Sequence, residues 1–420
     1  MIALGTGQRA AAAAMADELA ATLITPPLVE HTDDFSPGSS RWRDQSLSKG
    51  AAGVAVLHGV RARHGIADTK PVHAWLAHAT RDDLSAGPGA GLWFGAPALA
   101  FALHTAAPGI YPGAMASLDD GVADLVNTRL TAAHARIDAR RRPSQYEFDL
   151  TRGLSGLGAH LLEYAPDGDL VRRVLAYLVR LTEPVKVHDE AGAEAPGWWT
   201  CDSSAHDRDP AFAAGEANFG MAHGICGPLA LLSSSMRRHV VVEGQQAAVD
   251  RICRWLEDWR QQAPAGPWWP ERISVHELRT GRPSQDGPLR PSWCYGTPGI
   301  ARAQQLAAFA LRDATRQEAA EDALARCLAD PTQLARIVDP ALCHGWAGLL
   351  ATTAFAAADA ATLTLAAHPP RLLDTLLAHS RDTPPGALPG LIEGSAGIAL
   401  TLHALAAGTR GGWTACLLLN

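Results

Sequence analysis

Seven times along the chain, a glycine, two variable residues and a second glycine (once replaced by Ala98) lead into an apolar run. The first glycines are Gly50, Gly95, Gly153, Gly224, Gly296, Gly345 and Gly394, spaced from 45 residues (50 to 95) to 72 residues (224 to 296). One such tetrad carries no information, whereas seven in order mark an internal repeat. Second helical patterns lie between them, as over 248–262 and 316–329, with apolar residues at helical spacing. Helix-pair repeats of this length build a solenoid or a closed ring, and strand signals are sparse. The expected fold is all-α: a closed α/α toroid of about seven helical hairpins, a single domain over residues 1–420 with a helical lead-in over 1–45. Glycines three apart on one helical face would let the inner helices approach closely, and the more charged helices would form the outer layer.

Equivalent positions in such a ring share one end of it, so the residues just before each glycine tetrad belong to a common slot. Two positions before the first glycine stand Cys294 and Cys343, and one position before stand His223, His344 and Glu393. Cys294, Cys343 and His344 make a Cys2His set with one position left open, the pattern of catalytic zinc; structural zinc usually has four protein ligands. Three unrelated residues falling in one slot is the competing account. Cys226, two after Gly224, reads as helix packing. Glu393 receives no role.

Composition narrows the remaining classes. Hydrophobic residues make up 47% and charged residues 19%, a well-buried globular balance. A net charge of −7 leaves no basic footprint for nucleic acid. The seven cysteines are odd in number and widely spaced, which favours reduced thiols over a disulfide framework. Arg9, Asp17 and Glu18 interrupt the N-terminus as a signal peptide, and the stretch 350–367 contains Asp359 and is too weakly apolar to span a bilayer. The "GTGQRA" stretch at Gly5 lacks a βαβ unit, and "HELRT" at His276 lacks the second histidine of a zinc protease.

With the repeats, the strings "EFDLTRGLSG", "AHGICG", "RPSWCYGTPG", "LCHGWAG" and "LIEGSAG" make the chain resemble, over essentially its whole length, the lanthionine synthetase C-like family of lanthipeptide cyclases. The resemblance implies an α/α toroid and one zinc ion on Cys294, Cys343 and His344. It also implies an acid/base role for His223, an active-site aspartate at Asp149, and Arg290, Trp293 and Tyr295 as active-site wall. Asp149 either orients His223 or caps the third inner helix. Arg290 either stabilises enolate charge or pairs with an ordinary carboxylate, and Trp293 and Tyr295 either touch substrate or only pack. The spacing between the second and third repeats leaves little room for an inserted leader-binding subdomain there.

The implied reaction adds a peptide cysteine thiol to dehydroalanine or dehydrobutyrine in the same peptide, giving lanthionine or methyllanthionine. The implied partners are a dehydrated precursor peptide, a separate dehydratase, since 420 residues leave nothing over for one, and an exporter. The implied location is the cytoplasm, peripheral to a membrane-associated biosynthetic complex. Two other readings use the same residues: addition of glutathione or another external thiol to dehydrated residues, and a non-catalytic zinc toroid serving as a peptide-binding platform. A glycoside hydrolase would leave the Cys2His set unused.

Overall fold

The computed structural model describes residues 4–27, 44–186, 194–201, 209–382 and 388–420, so residues 28–43 of the expected lead-in lie outside the described part. The chain is mostly helical. Helix α1 is Thr6–Ala21. The first repeat gives α2 (Ala51–Arg63) and α3 (Lys70–Ala79), the second α4 (Ala96–Ala106) and α5 (Pro112–Asp138), the third α6 (Leu154–Tyr164) and α7 (Asp169–Leu181). The fourth gives α8 (Cys226–Arg237) and α9 (Gln245–Asp258), the fifth α10 (Thr297–Leu311) and α11 (Ala314–Ala329). The sixth gives α12 (Trp346–Asp359) and α13 (His368–Asp382), and the seventh α14 (Ser395–Ala407). The strands among the described residues form three antiparallel two-stranded ribbons. The pattern over 248–262 overshoots: α9 stops at Asp258, and Gln261–Ala263 pairs with Gly266–Trp268. Pro264 disfavours helix at Ala263, and Gly266 supplies the positive φ that the turn needs. Among the described residues, no helix is long and apolar enough to cross a membrane.

The chain divides into two compact units. Unit 1 comprises Met1–Leu125, Val338–Ala358 and Ala366–Thr414; unit 2 comprises Val126–Ile337, Asp359–Leu365 and Ala415–Asn420. In both, tetrad-bearing helices are buried on all sides, as along 51–61 of α2 and 226–235 of α8. Their companions are amphipathic: α7 buries Val171, Val174, Leu175, Tyr177, Leu178 and Leu181, a single helical stripe. The seventh tetrad helix, α14, takes its companion from the other end of the chain. Helix α1 packs on α14 and α13 and buries Ala12, Met15, Ala16 and Leu19. The lead-in therefore supplies the cover that an all-round apolar α14 requires.

The glycines act differently from the expectation of close helix–helix approach. The first glycine lies at or just before each helix N-terminus, and the second lies within the first turn. A Cβ on Gly53, Gly227, Gly299 or Gly397 would stand 2.3, 2.8, 2.2 or 1.8 Å from the carbonyl oxygen six residues earlier, on Leu47, Met221, Trp293 or Leu391. On its other side the same Cβ would meet the slot of a neighbouring repeat, at Leu391 of the seventh for Gly53 and at Leu150, Met221 or Leu342 of the preceding repeat for the other three. The tetrad thus lets the chain fold back under its own helix while a neighbouring slot packs against it. Backbone hydrogen bonds then stitch slot to slot. In unit 1, the Cys343 N–H donates to Ile392, Leu391 to Leu47, Ile392 to Ser48 and Leu47 to Trp93, which links repeats six, seven, one and two. In unit 2, the Leu150 N–H donates to Ala222 and Met221 to Cys294, which links repeats three, four and five.

Gly397→Ala should therefore destabilise by about 3 kcal/mol, the upper end of ordinary overpacking. Gly121→Ala, inside α5 with no described residue within 4 Å of the new Cβ, should stabilise by about 0.4–1 kcal/mol. Thermal melting of the two variants should move in opposite directions, and equal shifts would contradict the role given to the second glycine.

Candidate active site

The slot of repeat three opens with a short helical turn, Gln145–Phe148, that ends on Asp149. Asp149 is fully buried. Its Oδ1 accepts the N–H groups of Arg152 and Gly153, both at 2.7 Å, and its Oδ2 accepts the Thr151 hydroxyl at 2.7 Å. The same Oδ2 meets Nδ1 of His223 at 2.8 Å. Asp149 therefore binds the backbone at the entry to α6, whose N-cap is Gly153, and also contacts His223. A carboxylate on Nδ1 makes that nitrogen the protonated one in the neutral ring, which leaves Nε2 to exchange protons. Burial by itself lowers the His223 pKa, but the hydrogen bond and charge of Asp149, followed by the charge of Cys294, outweigh it and hold the imidazole above its ordinary value of 6.5.

Tyr295 and Cys294 reach the same neighbourhood from repeat five. The Tyr295 ring lies 6.5 Å from that of His223, tilted by 36°. Its hydroxyl accepts a hydrogen bond from Asn218 Nδ2 at 2.9 Å, and burial pushes the phenol pKa up, which keeps it protonated. Cys294 is 5% exposed, with its sulfur 3.4 Å from the Ser292 hydroxyl and its carbonyl tied to Met221. Trp293 is buried, and its indole N–H donates to the Leu417 carbonyl at 3.0 Å, so it packs. Arg290 has a buried Nε with no hydrogen-bond partner among the described residues. Its charge acts on Glu271, a carboxyl that burial and then Cys294 push above the ordinary range while Arg290 and Arg272 pull it back.

The repeat-six slot belongs to unit 1. The N–H of Cys343 is bound to Ile392, and His344 stands with Nε2 3.5 Å from Oδ2 of Asp339. Glu393, left without a role by the sequence, forms an ion pair with Lys49 at 3.0 Å. The thiols of Cys294 and Cys343 and the imidazole of His344 are candidate ligand groups for a metal ion. Cys226 is fully buried as the first residue of α8, and burial raises its thiol pKa far above the ordinary value, as packing rather than ligation requires.

Sequence reading passed over Asn218, Thr151, Glu271 and Asp339. Asn218 and Asp339 did carry a signal, since each stands six positions before a repeat glycine, Gly224 or Gly345. Glu271 precedes the strand Arg272–Ile273, outside every repeat slot, and nothing in the pattern marks it.

Residues 41–418 match the family model described as lanthionine synthetase C-like protein. The nisin biosynthesis protein NisC of Lactococcus lactis subsp. lactis is 22% identical over 207 residues, covering 49% of this chain and 48% of that protein. The match thus spans about half the length of that curated relative. A solved structure of nisin cyclase has the same fold, with a TM-score of 0.77 at 18% identity over 90% of this chain and 93% of that one.

Proposed function

Since the chain belongs to the lanthionine synthetase C-like family, we propose that it is a zinc-dependent lanthipeptide cyclase, adding a peptide cysteine thiol to a dehydroalanine or dehydrobutyrine of the same peptide. The observation that carries this reading is the common slot, with Cys294 and Cys343 two positions before their glycines and His223 and His344 one position before theirs. Two thiolates and an imidazole are donors that suit zinc, and three protein ligands leave the open position of a catalytic site. Bound there, zinc would supply a Lewis acid that keeps a thiol deprotonated near neutral pH. In the same proposal, the stitched slots 6–7–1–2 and 3–4–5 belong to one ring of hairpins, a single domain.

The remaining chemistry falls to the chain's own groups. As the sulfur–β-carbon bond forms, the electron pair of the double bond moves to the α-carbon and its carbonyl, and the resulting enolate needs one proton at the α-carbon. His223 holds that proton on Nε2, Asp149 stabilises the charged ring from Nδ1, and the proton that the thiol gives up recharges the imidazole by way of solvent, so the addition has no net proton change. Arg290 adds positive charge for the enolate, and Tyr295 shapes the wall beside the imidazole. The substrate must arrive already dehydrated, so a separate reaction has to remove water from its serine and threonine residues. The cytoplasm, where thiols stay reduced, is the proposed location, with a dehydratase and an exporter as partners at the membrane.

Asp149→Asn keeps an oxygen for the turn but removes the charge that raises the His223 pKa. With the acid form lost at lower pH, the alkaline limb of the kcat profile should move down in pH, and the deficit should be larger in alkaline than in acidic buffer. Parallel profiles for the two proteins would contradict the pairing. The reading as a whole is tested by giving the zinc-loaded protein a dehydrated, cysteine-containing peptide together with excess glutathione. A cyclase returns intramolecular thioether at unchanged mass, whereas glutathione adducts would favour the external-thiol reaction.

A further inference from the structure

The slots of repeats four and six share a feature beyond their histidines. Six positions before the first glycine stands Asn218 in one and Asp339 in the other. The Asn218 carbonyl accepts the Ile225 N–H, and its side-chain Oδ1 accepts the Gly220 N–H at 2.9 Å. Asp339 repeats both bonds: its carbonyl accepts the Trp346 N–H, and its Oδ1 accepts the Ala341 N–H at 2.8 Å. A Cβ on Gly224 or Gly345 would run into these same atoms, 2.5 Å from the Asn218 Oδ1 and 2.4 Å from the Asp339 Oδ1. One side-chain oxygen thereby locks the turn, and the second polar atom is left to face the site. In repeat four that atom is Nδ2, which donates to the Tyr295 hydroxyl. In repeat six it is Oδ2, which stands 3.5 Å from Nε2 of His344.

We propose that Asp339 is a positioning residue that fixes the His344 ring with Nε2–H toward its carboxylate, so that Nδ1 is the nitrogen presented to zinc. This rests on the zinc reading above. A carboxylate on the far nitrogen of a metal-bound histidine fixes its tautomer and raises its basicity, and losing such a partner typically costs about 10- to 100-fold in metal affinity. The turn makes the arrangement rigid, because the Asp339 Oδ1–Ala341 bond holds the carboxylate in place before any ion arrives. Asparagine at this position, as at Asn218, keeps the turn and withdraws only the charge.

The full-length wild type, Asp339→Asn and Asp339→Ala are compared by titrating zinc alone against a chromophoric chelator, alongside melting of the zinc-free proteins. Asp339→Asn should bind zinc about 10- to 100-fold more weakly with an unchanged zinc-free melting temperature. Asp339→Ala should lose affinity and also melt lower, because it gives up the turn bond. In zinc-loaded wild type labelled with 15N-histidine, His344 should show a metal-bound Nδ1 and a protonated Nε2. Wild-type affinity in Asp339→Asn, or a metal-bound Nε2, would overturn the assignment while leaving the zinc reading intact. A wild type that takes up no zinc would overturn both.

Discussion

Cys294→Ala and Cys343→Ala should each release the zinc and abolish ring closure. A two-ligand remnant lacks the three protein donors of a catalytic zinc site, so the loss of affinity should exceed the about 10- to 100-fold expected when an outer partner is removed. Each substitution also deletes one of the two thiolates that balance the charge of Zn²⁺, so any ion that remained would sit in a more positive and less electron-rich site. Cys226→Ala serves as the control. Its thiol is buried at the start of α8 and held protonated, so zinc content and rate should match wild type. Elemental analysis of the purified variants reads the result, and stoichiometric zinc in either Cys294→Ala or Cys343→Ala would overturn the ligand set.

His223→Ala should behave in the opposite way, keeping its zinc and losing its rate. The imidazole is held by a fully buried carboxylate at 2.8 Å, an arrangement suited to proton transfer. A positioned acid/base group contributes about a hundred- to ten-thousand-fold, or about 3 to 5 kcal/mol of barrier. Single-turnover assays on a dehydrated peptide should show that deficit at normal metal content. If the variant lost zinc, His223 would belong among the ligands and His344 would need another role. If it kept both zinc and full rate, the proton would come from elsewhere, with Tyr295, whose ring lies 6.5 Å from the imidazole, as the first candidate.

The repeats were legible because the tetrads answer a steric demand: at Gly53, Gly227, Gly299 and Gly397 the carbonyl six residues earlier occupies the space of a Cβ, while the second repeat carries Ala98 at that position. That regularity located the tetrad helices, and the polar residues of the slot followed from position alone. The geometric reason for the glycines was not legible, since a three-residue spacing suits helix packing and a folded-back helix entry equally well. Nor was the use of α1 as cover for α14, a contact that joins residues 6–21 to residues 395–407, because local periodicity carries no information about partners so far apart. Asn218 and Asp339 were hidden for another reason. Asn and Asp are common in turns, and only the second atom of each side chain, turned toward Tyr295 or His344, distinguishes these two from ordinary turn residues.

The central claim is that this chain closes thioether rings with a metal it holds through its own cysteines and histidine. It is tested most directly by mass spectrometry with thiol alkylation of a dehydrated peptide, incubated with the zinc-loaded protein and with the same protein after chelation. Ring closure changes no mass and consumes one alkylatable cysteine per ring. The prediction is full loss of alkylation with the zinc-loaded protein and full retention with the chelated one, whose helical circular dichroism persists because the fold is built from packed helices. Alkylation that persists with the zinc-loaded protein, or that disappears equally after chelation, would contradict it.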